Sequence, residues 1–517
     1  MLDRPISIAL LINEVEGDYH EILLKGINAA SDNLGVNLIV LVGKPLYSPD
    51  KYEYNHNISY ELINFDKIDG VIVSSGSIAK YTDENQLYMF IKKIPVPVVS
   101  ISLPFGVSCC VDNRKGFNEL INHLINYHNK KHIAFITGPE LHSESLERLQ
   151  VYIDTLHENN LPFNKDLIIH GNFTCASAVE AVSKFLKKGL EFDSIVCSND
   201  EMAIGAIRVL KANNIKVPEE ISVTGFDNIP SSSLNHLTTV HQPIYELGYN
   251  SVELLFNLIT KNKFEVRLLG TQLVIRESCG CKFEKLISEE SILPNDENNH
   301  SIIEEFVAIA KDILVSSEYE TAFKKFFQLL IGHISGKEPS FSVYQLFRHI
   351  VDNLTEDNTF LLNDIMKKLK STLIRNFDCD AVEHCFFDLS NILIEKLAKK
   401  SATRSRNVLD SINNLRQVLI YSLISADSLQ HEETYFTEKL SEIGLENYYV
   451  YMFEKSFIYN VSTTNHYLGN NNIRLLFSNA NSDQSTIKFN EIFSNILRND
   501  KSTFLVFPLF SRTNTWA

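Results

Sequence analysis

From residue 6 to about 278 the chain alternates short apolar runs with segments whose apolar residues recur every three and four positions. The runs at 6–12, 36–42, 70–74, 96–102, 131–138, 166–173, 194–198, 221–226 and 238–242 read as strands. Between them, Ile22, Leu23, Ile27 and Ala30, or Ala203, Ile204, Ile207 and Leu210, keep helical spacing. Alternating strand and helix predicts α/β architecture, with parallel sheets covered by helices on both faces. The apolar segment 96–111, interrupted by Pro104 and Gly106, reads as a crossover between two lobes, and 238–243 as the return. Two strands end in polar residues just before a helix or turn: Ser198, Asn199 and Asp200, then Asp227 and Asn228. Ligands of open α/β sheets bind outside such carboxyl ends.

The pattern changes after Cys281. Residues 288–300 are acidic and rich in Asn and Ser, as a linker is. Beyond them the period is helical, at Phe306, Ile309, Ile313 and Leu314, then Phe323, Phe326, Phe327 and Leu330, then Val382, Cys385, Phe386, Leu389 and Leu393. Four or five helices are expected up to about residue 430. Val408, Ile412, Leu415 and Leu419 make a short heptad-like seam, either an ordinary core face or a dimerising signalling helix. Strand-like runs return at 448–453, 473–477 and 503–509, similar to part of a GAF fold that breaks off early. The expected units are a two-lobed ligand-binding domain at 1–282, a linker at 283–300, a helical signalling region at 301–430 and a partial GAF-like domain at 431–517. Lobe 1 is placed at about 5–103 and 243–268, lobe 2 at about 107–238 and 272–282.

A formal net charge of -16 argues against broad adhesion to a polyanion such as DNA. The short basic clusters at 129–132 and 399–406 read as solvated surface. The chain enters its first apolar run at once, without a leader, and no stretch reaches the roughly 18 apolar residues of a membrane span. A cytoplasmic protein with no membrane partner is expected. Its eight cysteines then read as free thiols, and Cys279-Gly-Cys281 lacks the second ligand pair of a structural zinc site. No metal and no cofactor are expected. No nucleophile motif, metal-protease motif or phosphate-binding glycine loop is present, so the chain reads as a binder and not an enzyme.

A sugar or related metabolite presents hydroxyls that both donate and accept, so its site wants carboxylates and amides, an Arg fork and an aromatic face. Candidates follow the strands: Tyr19, Asp112 with Asn113, Phe173, Asn199 and Asp227, with Arg148 on the helix after Gly138. Each has a plainer reading. Asp200, or Asn199 sharing the task, caps the helix beginning near Glu201. Asp227 fixes a turn, Asp112 a turn or cap, Arg148 pairs with Glu144 on a helix surface, and Tyr19 and Phe173 pack.

Three blocks in order, Asn-Asp-Glu-Met-Ala-Ile-Gly-Ala at 199–206, Val-Pro-Glu-Glu-Ile-Ser-Val-Thr-Gly-Phe-Asp at 217–227 and Thr-Thr-Val-His-Gln-Pro at 238–243, resemble the effector-binding core of the lactose-repressor (LacI/GalR) family. The resemblance covers about residues 5–280 and implies a periplasmic-binding-protein-like core whose chain crosses between lobes three times. It implies effector contacts from Asp227, Asn199 and Arg148, with Phe173 lining the pocket and Tyr19 a weaker match. Val151 stands where the family has Gly, and Asn129-Lys130 replaces the usual Gly-His. The amino-terminal helix-turn-helix of the family is not found, so direct DNA binding is not expected. The resemblance implies a sugar-sensing regulator acting as a homodimer, with closure passed to a carboxyl-terminal or partner output. The alternatives are a transport-type solute-binding protein, or the sensor part of a diguanylate cyclase or histidine kinase.

Overall fold

The computed structural model describes residues 4–281 without a break and, beyond them, parts of 303–393 and four short strands between 449 and 506. Residues 4–281 carry β1 (Ser7–Ile12), β2 (Asn37–Val42), β3 (Gly70–Val73), β4 (Val98–Ile101), β5 (Val107–Val111), β6 (Ile133–Thr137), β7 (Ile168–His170), β8 (Ser194–Cys197), β9 (Ser222–Thr224), β10 (Thr239–His241), β11 (Val266–Leu269) and β12 (Gln272–Val274). The helices used below are α1 (Asp18–Leu34), α2 (Lys51–His56), α3 (Ser75–Ile78), α4 (Glu84–Ile91), α5 (Asn113–Asn122), α6 (Ser143–Glu158), α7 (Cys175–Lys187), α8 (Asp200–Ala212), α9 (Pro230–Leu234) and α10 (Ile244–Lys261).

Lobe 1 is built on a parallel sheet of order β11-β5-β4-β3-β1-β2, with Thr503–Val506 running parallel beside β2 at its outer edge. All six residues of β1 are buried, as expected of a strand with helices on both faces. Ile8 sits between Leu38 of β2 and Gly70 of β3, so β1 is flanked by two later strands. On one face α1 and α10 pack together, burying Leu23 and Ile27 against Leu247, Leu254 and Leu255. Their backbones touch where two glycines meet the opposite helix. A Cβ at Gly26 would lie 2.0 Å from the Tyr245 carbonyl oxygen, and one at Gly248 would lie 2.3 Å from that of Leu23. Gly26→Ala is therefore expected to pry the helices apart, costing about 1 to 3 kcal/mol in urea unfolding.

Lobe 2 repeats the plan with order β7-β6-β8-β9. Helices α7 and α8 cover one face through Ala178, Val182, Phe185, Met202 and Ala206. Phe117, Leu120, Phe135, Tyr152 and Phe226 fill the other, where α5 and α6 pack. β10 and β12 pair antiparallel, so the second and third crossings run side by side. The first crossing differs from the expectation. Residues 107–111, assigned to lobe 2 by their sequence, form β5 between β4 and β11 in the sheet of lobe 1. Pro104 and Gly106 break a tight loop within one lobe, and the chain crosses only at Asp112.

Past residue 281, helices Ser317–Ile334, Ser340–Asn353 and Glu356–Leu373 share a core of Phe323, Phe326, Phe327, Leu330, Val343, Phe347, Leu362 and Leu369. Tyr449–Phe453, Asn472–Ser478 and Thr486–Lys488 form an antiparallel sheet, while Thr503–Val506, expected to belong to the same unit, pairs with β2 instead. The linker at 283–300 and the seam from Val408 to Leu419 lie outside the described residues. Among the described residues no helix is long and apolar enough to cross a membrane.

Candidate functional site

Each sheet contains a point where chain direction reverses: β1 is flanked by β2 and β3, and β6 by β7 and β8. Connections leaving opposite ways at such a point open a crevice beyond the carboxyl ends of the strands. The two crevices meet across the lobes. Tyr19 after β1, Gly76 after β3 and Ser102 after β4 come from lobe 1, while His142 after β6, Asn199 after β8 and Asp227 after β9 come from lobe 2.

Asp227 is the most unusual residue of the site. Its φ of 115° lies in a region that favours glycine, and Asn228 follows at 58°. A non-glycine residue held there stores of order 1–3 kcal/mol and persists only when its surroundings dictate it. They do so through the backbone: the Asp227 N–H donates to the Val240 carbonyl at 2.9 Å, and the Gln242 N–H donates back to the Asp227 carbonyl at 3.2 Å. The side chain is 92% buried, yet its carboxylate accepts no hydrogen bond among the described residues. Burial drives its pKa well above the ordinary value, the charge of Asp200 adds to that, and the Arg148 guanidinium pulls the other way.

Arg148 is inside as well. Sequence spacing suggests a surface ion pair with Glu144, but Arg148 is 3% exposed and Glu144 8%. Nε donates to Asn113 Oδ1 at 3.0 Å and Nη1 to the Ser198 carbonyl at 2.7 Å. The guanidinium lies over the Phe226 ring, 3.8 Å from its centroid. Two of its arms and its flat face are thus fixed, and Nη2 is left without a protein partner among the described residues.

Lobe 1 meets this wall directly. Burial pushes the Tyr19 phenol up, and the charges of Glu144 and Asp227 push it further, which places all three in one field. His142 Nε2 donates across the lobes to the Gly76 carbonyl at 2.7 Å, and the Ser231 N–H donates to Asp18 Oδ2 at 3.0 Å. A Cβ at Gly76 would meet Glu144 Oε2 at 3.3 Å and Ser102 Oγ at 3.0 Å. His142 Nδ1, Glu144 Oε1 and Ser198 Oγ are buried polar atoms with no partner among the described residues. Buried polar groups in native proteins are nearly always satisfied, so such a concentration is the mark of a place prepared for a polar guest.

Other candidates carry structural work. Asn199, and not Asp200, is the N-cap of α8: its Oδ1 accepts from the Met202 N–H at 3.1 Å and its Nδ2 donates to the Phe173 carbonyl at 3.1 Å. Phe173, at a φ of 58°, turns its ring edge-on to His142, with centroids 5.1 Å apart, so it belongs to the same wall. Asp200 is fully buried and accepts from the Ile229 N–H at 3.1 Å, the Thr239 hydroxyl at 2.6 Å and the Ser232 hydroxyl. Asp112 does the work of its plainer reading. Its carboxylate caps α5 by accepting from the N–H groups of Arg114 at 2.9 Å and Lys115 at 3.3 Å. It lines a groove of about 820 Å³ between α5, α6 and β11 that Ser102 and Asn113 share but Asp227, Arg148 and Tyr19 do not line. Glu144, His142 and Ser102 also stand at this seam, and none of them is a candidate from sequence alone. The one local sign is the spacing of four between Glu144 and Arg148, whereas nothing local marks Ser102.

Asp200 makes stability depend on pH. Burial pushes its carboxyl up from 3.8 to about 6, and the hydrogen bonds from Ser232, Thr239 and Ile229 offset only part of that. The folded protein keeps this proton where the unfolded chain has lost it. The contribution is therefore fully present below the unfolded pKa, roughly 4, and disappears as pH rises through about 6, a change on the order of 3 kcal/mol. Urea unfolding is expected to show wild-type stability falling between about pH 4 and 6.5, and the fall should be smaller in Asp200→Asn. Equal slopes in the two proteins would remove Asp200 as its source.

Residues 121–279 match the family described as periplasmic binding protein-like domain. The transcriptional regulator RegA of Clostridium acetobutylicum is 27% identical over 287 residues, covering 53% of this chain and 82% of that protein. The transcriptional regulator MalR of Clostridium butyricum is 34% identical over 226 residues, covering 41% of this chain and 65% of that protein. The crystal structure of the transcription regulator CcpA of Lactococcus lactis aligns at 23% identity with a TM-score of 0.47, covering 53% of this chain and 99% of that one.

Proposed function

We propose, for a chain whose residues 4–281 form an effector-binding domain of the LacI/GalR regulators, that this domain senses a small polyhydroxylated metabolite, most simply a sugar. The observation that carries the reading is the buried, unpaired carboxylate of Asp227 opposite the free arm of Arg148. A sugar hydroxyl bonds to the first while another accepts from the second, and both buried groups then have partners. Phe173 and Tyr19 supply flat apolar surface from opposite lobes. Glu144, His142 and Ser102 offer further polar atoms at the seam. The reading is of binding without turnover.

Ligand shifts the lobes only by its differential affinity for the closed arrangement. The cross-lobe bonds from His142 to Gly76 and from Ser231 to Asp18 close with it. The change passes through the crossings at Asp112, β10 and β12 to the helices beyond, and a homodimer reports it to an output supplied by the rest of the chain or by a partner. A thermal-shift screen of the full chain against sugars, nucleobases and amino acids tests the substrate class. A sugar at about 100 times its Kd is expected to add about 2.7 kcal/mol of stability. Stabilisation by nucleobases or amino acids alone, with every sugar inert, contradicts it.

A further inference from the structure

At the end of lobe 2 away from the cleft, four metal-ligating side chains meet. His123 and His128 stand where α5 runs on into a π-helical turn, His123–Tyr127. In an α-helix, residues five apart point about 140° away from each other. The wider i→i+5 turn brings them to one side, and such turns concentrate at functional places. Cys279 and Cys281 come from the last turn of the domain, where Gly280 at a φ of 111° folds the chain back over the His128 ring. A Cβ at Gly280 would stand 3.2 Å from His128 Nδ1, so the Cys-Gly-Cys spelling fits both the bend and the contact.

Four of the six distances between the ligand atoms fit one ion. A tetrahedral zinc with Zn–N near 2.05 Å and Zn–S near 2.3 Å sets N···N at about 3.3 Å and N···S at about 3.5 to 3.6 Å. His123 Nε2 and His128 Nε2 lie 3.2 Å apart. Cys279 Sγ is 3.5 Å from His123 Nε2, and Cys281 Sγ is 3.6 Å from His123 Nε2 and 3.4 Å from His128 Nε2. All four ligand atoms fall within 4.8 Å of one another. Both thiols are buried, at 0% and 6% exposure, and both rings present the same nitrogen to one point. Simple packing gives no reason for four such atoms to converge with these spacings.

We propose that His123, His128, Cys279 and Cys281 hold a zinc ion in a closed, four-ligand structural site. The two residue pairs are separated by more than 150 positions in the chain and join the far end of α5 to the last turn of the domain. That turn is also held to β9, where the Ser222 hydroxyl donates to the Cys279 carbonyl at 2.9 Å. The ion therefore locks residue 281, the point from which the chain leaves the domain, to the helix that starts at the first crossing. A movement of lobe 2 reaches the following segment without being lost in a loose end.

The full chain, expressed with zinc supplied and purified without a histidine tag, is expected to carry about one zinc by elemental analysis. Replacement by Co²⁺ should give thiolate-to-cobalt charge transfer and the visible bands of a tetrahedral site. Cys279→Ser with Cys281→Ser should abolish both. The wild-type chain provides a test that needs no variant: Cys279 and Cys281 should resist alkylation until a chelator is added, as mapped by mass spectrometry. Little zinc and no tetrahedral cobalt bands overturn the proposal. So do zinc content unchanged in the double variant and alkylation of both thiols that ignores the chelator.

Discussion

Asp227→Gly is expected to yield a protein that is more stable without ligand and deaf to it. The substitution relieves a backbone held at a φ of 115°, worth about 1–3 kcal/mol, against an entropic loss of about 0.5–1 kcal/mol for adding glycine. It also removes a buried carboxylate that nothing in the protein pairs. The net gain should be about 1 to 2 kcal/mol in urea unfolding. The same change deletes the main partner of a ligand hydroxyl and leaves that hydroxyl unsatisfied in a buried place, at a cost of about 1–3 kcal/mol, or roughly five- to a hundred-fold in affinity. Calorimetric titration with the best sugar of the screen checks the second half. A destabilised variant with unchanged affinity would make Asp227 a turn residue and nothing more.

Asp200→Ala is expected to have the opposite character. Three donors from α9 and β10 converge on this one side chain, and Arg276 acts on it electrostatically. Removing it strands the Ile229 N–H and two hydroxyls in a dry interior, at a cost of about 3 to 5 kcal/mol. Asp200→Asn keeps the shape and one acceptor and should cost about 1 kcal/mol near neutral pH, where the buried charge is itself unfavourable. The contrast between neighbours is the point: Asp200 is a carboxylate whose partners are all protein, and Asp227 is one whose partner is absent from it. Comparable destabilisation by alanine at both positions would erase that distinction.

Alternation of apolar runs was enough to expose β1, β2, β3, β6, β8 and β9, which are buried along their whole length and leave a plain hydrophobic signature, whereas the half-exposed β11 and the partly buried β12 were not among the runs. The location of the first crossing was not legible. Whether residues 107–111 end in one lobe or the other depends on pairing with Val266–Leu269, more than 150 positions away. Asp227 and Arg148 are identified through the family resemblance of the surrounding blocks, since spacing alone reads Arg148 as a surface partner of Glu144 and Asp227 as a turn residue. Of the two residues expected to share the cap of α8, Asn199 alone does so: either side chain reaches the orphan N–H groups, and only the distant partners Thr239 and Ser232 pull Asp200 away. Asp112 shows the reverse, a polar residue in the right place whose carboxylate a local helix takes. In the sequence the Cys-Gly-Cys pair has no second ligand pair near it; in the fold His123 and His128, at the π-helical turn that ends α5, stand beside it.

The central claim is that the guest sits between the lobes on Asp227 and Arg148. A crystal structure of the chain with the sugar that gives the largest thermal shift tests it most directly. The account predicts ring hydroxyls within hydrogen-bonding distance of the Asp227 carboxylate and Arg148 Nη2, with Tyr19 and Phe173 on either side. Sugar seated in the groove beside Asp112, with the Asp227 carboxylate still unpartnered, would contradict it.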